Sequence, residues 1–382
     1  MRYTSYKIKA MARRLAPSKL ALALLAWYPS LAVAQEVRHG VWVGSQLQAL
    51  PLPTRGYEAY LVGELHGIEE NAQFQLLYLT ALNGASGLRD VAIEDKAAFE
   101  DAAQAYVDGR SDSLPPALCL RTELLGGIRH INSHLRMGKR IRVHLIDIDS
   151  PGVAIREHIV ALQKQIKNAS DVRIPEVDEI KEQGVETVEK LKRYRSNSRI
   201  RASLRTVEYS IRAYQQGFEV STGPPAGSPY LDDREQAVTD NIMDLIESRT
   251  TRPLLVIYGS DHVSRAKRKD GGANRDQAFS PMALRLEQFG VSAFSVVTFP
   301  LMGRSFWRGV QSDLPWKPAD GHLDSGEPFE SLLLSFPKAR FIYIDTGYTR
   351  AHLPSVDVSN FVVDAFLLFP SAAPMTNYCA NL

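Results

Sequence analysis

Seven short runs rich in branched and aromatic residues alternate with segments of helical period, and this alternation restricts the chain to a layered α/β architecture. The runs cover residues 57–63, 90–94, 141–148, 254–258, 292–299, 341–344 and 362–368. Most are apolar throughout and of strand length, the mark of strands covered on both faces. Helical spacing is predicted over 69–82, 97–107, 121–135, 153–166, 174–216, 232–247 and 282–289. The expectation is a mixed sheet flanked by helices, forming one domain over residues 35–382. Residues 152–227 break the rhythm, being long, charged and helical with a Gly/Pro/Ser-rich exit at 221–229. They read as a helical insertion, which either caps a pocket or covers the sheet.

Residues 1–34 stand outside that pattern. Arg2, Lys7, Lys9, Arg13, Arg14 and Lys19 precede an apolar run over 20–27, and the small residues Ala32, Val33 and Ala34 follow. That order is the order of a secretory signal peptide, with cleavage expected after Ala34. The run is interrupted by Tyr28, Pro29 and Ser30 and falls short of the roughly 20 residues a bilayer span requires. An exported protein without a stable anchor, periplasmic or secreted, is therefore expected. Cleavage removes six of the 45 basic side chains and none of the 43 acidic ones, turning a formal charge of +2 into −4. A mildly acidic chain without a basic stripe argues against nucleic acid as a partner. Cys119 and Cys379 either form one disulfide tying the C-terminal tail to the body or stand as two thiols. Two cysteines exclude a cysteine-rich zinc or iron-sulfur cage.

Chemistry gathers at the ends of the apolar runs, where α/β sheets bind ligands. The first passes into Gly63-Glu64-Leu65-His66-Gly67, and extended spacing aims Glu64 and His66 the same way. The second ends in Ile93-Glu94-Asp95 and the third in Asp147-Ile148-Asp149. Asp95 and Asp149 suit helix caps, a role for which Glu94 is a poor candidate. The fourth runs into Gly259-Ser260-Asp261-His262-Val263-Ser264-Arg265, a second GxxH. Two histidines with carboxylates serve either as a base activating water or, as His66, Glu94 and His262, as ligands of a divalent metal. His130 and His134, four apart on a predicted helix, are expected to be ordinary surface or packing residues. The absence of GxSxG argues against a serine nucleophile.

These three motifs resemble the erythromycin-esterase-like proteins, within the wider ChaN and Tiki/TraB group of paired GxxH proteins. The likeness extends through Asp233, Arg234 and Asn241, through Ser280-Pro281-Met282, and through the late run Phe341-Ile342-Tyr343-Ile344-Asp345, so that it spans about residues 57–375. The resemblance implies a hydrolase of an ester, lactone or amide in a small molecule or peptide, with a metallopeptidase as a variant. It implies His66 as general base on water, Glu64 and Glu94 orienting it, and His262 with Arg265 stabilising oxyanion charge. The first motif has one residue, Leu65, between Glu and His, fewer than is usual in the esterases. That shorter spacing is closer to ChaN-like proteins and keeps a haem- or metal-binding protein as the alternative.

Overall fold

Long apolar runs are buried only where both faces of a sheet are covered. The computed structural model describes residues 34–38, 40–218, 230–248, 253–269, 278–300, 303–307, 310–314, 339–346, 362–376 and 379, and it builds such a sheet. The nine strands lie in the order β1 (Gln35–Arg38), β2 (Val41–Gly44), β12 (Phe341–Asp345), β13 (Ala365–Phe369), β9 (Ala293–Pro300), β3 (Ala59–Glu64), β6 (Leu254–Gly259), β4 (Asp90–Lys96) and β5 (Arg142–Asp147). From β13 to β5 neighbouring strands pair in parallel, while β12, β2 and β1 close one edge in antiparallel fashion. The sheet is mixed, as expected. Two small ribbons, β7 (Arg268–Lys269) with β8 (Ala278–Phe279) and β10 (Gly303–Trp307) with β11 (Val310–Leu314), lie outside it.

Eight α-helices are described: α1 (Glu69–Ser86), α2 (Glu100–Val107), α3 (Thr122–His134), α4 (Gly152–Gln165), α5 (Ile180–Lys192), α6 (Ser198–Gln215), α7 (Tyr230–Glu247) and α8 (Met282–Gln288). Successive strand residues point to opposite faces. Tyr60 and Val62 accordingly pack with Phe74, Tyr78 and Leu125 on the side of α1 and α3. Leu61, Val256 and Tyr258 pack with Val238, Ile242 and Met282 on the side of α7 and α8.

Helices α4, α5 and α6 follow β5 with no strand among them and share a core of their own, built around Ile159, Val188, Leu204 and Ile211. The helical pattern predicted over 174–216 is two helices. Asn197 restarts the chain, its side chain accepting the Ile200 N–H at 2.9 Å in an N-cap. The leader segment 1–33 and the predicted exit 221–229 lie outside the described residues. Among the described residues no helix is long and apolar enough to cross a membrane.

The strand order sets the position of the site. After β3 the chain adds β4 and β5 on one side, returns to insert β6 between β3 and β4, and then continues to β9 and β13 on the other side. The carboxyl ends of the parallel strands share one edge. The chain departs in opposite directions around β3, and that reversal opens a crevice at the shared edge.

Candidate active site

Glu64 is the last residue of β3 and His66 sits in the turn after it. Their shared direction closes a contact, with His66 Nδ1 2.9 Å from Glu64 Oε1. Glu64 is buried, and its other bonds come from Arg121 Nη1 at 2.6 Å and from the Gln75 amide. Burial disfavours the carboxylate, but Arg121 and His66 outweigh it and hold the pKa well below the usual range. An ionised Glu64 accepts the Nδ1 proton, so that in the neutral imidazole Nε2 is the accepting nitrogen. Arg121 also donates to the Glu94 carbonyl at 2.7 Å, so one guanidinium braces two strand ends.

Glu94 faces His66 from β4, its Oε2 lying 3.5 Å from Nε2. The same oxygen accepts the Gly259 N–H at 2.7 Å, and Oε1 accepts from Arg234 Nη2 at 2.7 Å. Arg234, on α7, also forks onto Asp147 at 2.8 and 2.6 Å. Burial again disfavours the charge, but His66, Arg234 and His262 pull the Glu94 pKa down to about 2. The two atoms are close enough for a single water molecule to hydrogen-bond both.

His262 stands in the 3-10 turn Ser260–Val263 that follows β6. Its Nδ1 bonds the buried Glu235 carboxylate of α7, whose second oxygen accepts the Met282 N–H. Burial opposes a charged imidazole, but the adjacent Glu235 raises the His262 pKa above its usual value. The Tyr258 ring meets the imidazole edge-on at 4.8 Å. His262 is thereby built to donate from Nε2, where His66 is built to accept.

The two GxxH glycines allow the close approach. A Cβ on Gly63 would strike Val263, so Gly63 admits the His262 turn against β3. A Cβ on Gly259 would lie 3.2 Å from His262 Cδ2, 3.3 Å from Glu94 Oε2 and 3.5 Å from His66 Nε2. Gly259 is the floor on which the three groups meet.

No family model and no curated protein matches the chain. Solved structures do. A mutant of the erythromycin esterase EreC in its open conformation superposes with a TM-score of 0.63 at 12% identity, covering 85% of this chain and 93% of that one. A Bacillus cereus protein superposes with a TM-score of 0.62 at 16% identity, covering 94% and 99%. A succinoglycan biosynthesis protein gives 0.62 at 12% identity, covering 83% and 88%. The chain has the erythromycin-esterase-like fold. At such identities the likeness is one of fold, and the chemistry must be argued from the residues themselves.

Within this erythromycin-esterase-like fold, Glu64, His66, Glu94 and His262 converge and Arg265 does not. Arg265 forks onto Asp364, just before β13, at 3.0 and 2.6 Å, and reaches the Ala293 carbonyl at the start of β9. It sits toward the amino ends of those strands, as a latch between them, because the chain after His262 runs back along the sheet. The cations beside the cluster are Arg121 and Arg234 instead. Asp149 accepts the Ala98 N–H and pairs with His158, while Asp95 accepts the Lys96 N–H and lies 3.8 Å from Arg121 Nε. His130 and His134 are exposed on α3.

The set His66, Glu94 and His262 does not fit a resident cation. The Arg234 guanidinium already bonds Glu94, and among the described residues no three His, Cys, Asp or Glu side chains group as ligands. Sequence reasoning missed Gln75, Arg121 and Glu235 as members of the site. A signal existed: Glu235, Val238, Thr239 and Ile242 form one buried stripe of α7, so a carboxylate occupies an apolar-face position.

Proposed function

We propose that this protein is an exported hydrolase that uses His66 to activate water for attack on an ester, lactone or amide carbonyl. The observation that carries the reading is the meeting of an accepting imidazole, a carboxylate and a donating imidazole around Gly259. Water held between His66 Nε2 and Glu94 Oε2 gives its proton to Nε2 as its oxygen bonds the carbonyl carbon. The carbonyl oxygen gains negative charge, and the His262 Nε2–H stabilises it as a preorganised donor. Collapse of the tetrahedral species returns the proton from His66 to the leaving oxygen or nitrogen. Glu64, held by Arg121 and Gln75, orients the base and stabilises it when it carries the extra proton. The esterase-like fold supports the same class of reaction. Export is supported by the leader pattern in residues 1–34 and by the Cys119–Cys379 disulfide, a bond typical of oxidising compartments.

The test is turnover of a panel of carboxylic esters, lactones and amides by the purified protein and by His66→Ala, with and without chelator, alongside a visible spectrum. The expected result is chelator-insensitive hydrolysis that falls at least about a thousandfold in the variant while its thermal midpoint is kept. Absence of turnover across the panel, or a stoichiometric haem band, would overturn the reading. Export is tested by fractionation and by sequencing the mature amino terminus, with Gln35 expected first.

A further inference from the structure

The chain after β13 lies over the turn that carries His66. The Gly67 carbonyl accepts the Met375 N–H at 3.0 Å, and Ile68 pairs with Pro374 in an antiparallel bridge. The Ala373 carbonyl accepts the Glu69 N–H at 3.0 Å, and the Ala373 N–H reaches both Glu70 carboxylate oxygens at 3.1 and 3.2 Å. Met375 lines a small cleft together with Glu64, His66 and Arg121. Another wall of that cleft is the 3-10 turn Pro116–Arg121, whose last residue holds Glu64 and the Glu94 carbonyl. Cys119, two residues before Arg121, is bonded to Cys379, so one covalent link joins the tail to the turn that braces the site.

We propose that the Cys119–Cys379 disulfide is a redox switch on this site, ordering Gly67, Arg121 and through them His66 when closed, and loosening them when opened. The activity it governs is the hydrolysis proposed above. Both cysteines are half-buried, within reach of a small thiol. In opening, a dithiol reductant attacks one sulfur and resolves to its own disulfide, so that Cys119 and Cys379 each gain one electron and one proton. An external disulfide reverses the exchange. The opened tail keeps its main-chain bonds and the Glu70 contact, and the turn before Arg121 loses its covalent link to the tail.

The experiment compares the full chain oxidised, reduced with dithiothreitol, and reoxidised with oxidised glutathione, at a temperature where circular dichroism reports a folded reduced form. Ester turnover is read together with amide hydrogen exchange over residues 66–70 and 116–121. Reduction is expected to lower kcat about tenfold or more, reversibly, and to speed exchange in both segments. Unchanged kcat would overturn the switch. If the oxidised protein turns over no substrate, exchange alone decides. Faster exchange then keeps the clamp while the hydrolase reading falls, and unchanged exchange sinks the clamp. Glu70→Ala, which frees the Ala373 N–H but keeps the disulfide, guards against a reduced form that unfolds. It is expected to lower kcat several-fold, and wild-type kcat and exchange in this variant would remove the tail from the device.

Discussion

In the proposed hydrolysis one histidine serves as base and the other as donor, and the difference lies in the company each ring keeps. His66 leans on a Glu64 that Arg121 already neutralises, whereas His262 faces a Glu235 whose other oxygen takes the Met282 N–H. Glu235→Gln removes the charge that raises the His262 pKa, so the alkaline limb of the rate profile should move to lower pH. The rate at neutral pH should fall about 10- to 100-fold, and an unshifted limb would detach His262 from the reaction. Gly259→Ala is expected to lower kcat/KM at least about 100-fold, because its methyl occupies the point where the three groups meet. Its backbone φ of −58° suits alanine, so the thermal midpoint should move little. The charges also shape stability with pH. The pairing of His262 is fully present below the unfolded imidazole value near 6.5 and is lost as pH rises through its raised folded value. Glu94 runs the other way, stabilising above its unfolded value of 4.5 and losing that as pH falls toward about 2. Acid titration should show a larger loss of stability over that interval in wild type than in Glu94→Gln, in which Glu64 still titrates.

Helices here carry the site's hidden charges at positions where an apolar side chain would be expected. Arg121, Leu124, Leu125 and Ile128 form one buried row, and Gln75, Tyr78, Leu79 and Leu82 another, each with helical spacing. Periodicity made the helices legible while concealing these polar members, since a single polar residue scarcely disturbs a stripe. The GxxH histidines were legible because each follows an apolar run directly. Arg265 was misplaced because its sequence distance from His262 says nothing of the chain's path back along the sheet. The break between α5 and α6 was missed for a related reason, since charged residues continue through it and only Asn197 marks the restart. Asn197→Ala should cost about 1 kcal/mol in chemical denaturation, and no loss would show that packing alone positions α6.

Across the whole molecule, the parallel strands declared themselves by composition, but their order did not. That β6 inserts between β3 and β4 depends on pairings such as Ala59 with Leu254 and Asp90 with Leu254, far apart in sequence and beyond any local pattern. The antiparallel edge was only half visible: β12 is a strong apolar run, while β1 and β2 are four residues each and too short to stand out. The same long-range closure sets how the fold should respond to reduction. Cys119 follows β4 in sequence and Cys379 follows β13, with a separation of 260 residues that encloses most of the sheet. In the chain-entropy account, a loop of that length stabilises by about 5 kcal/mol through restriction of the unfolded chain. Because β5, β6, β9, β12 and β13 all lie inside the loop, the loss on reduction should fall on the cooperative unit rather than on the tail alone. Cys119→Ser with Cys379→Ser should therefore unfold in one transition whose midpoint is lowered by roughly 5–15 °C, read by calorimetry against the oxidised wild type. A midpoint within a degree or two of wild type would mean that the unfolded chain is already compact enough for the link to restrict little, and the disulfide would then matter only to the site it braces.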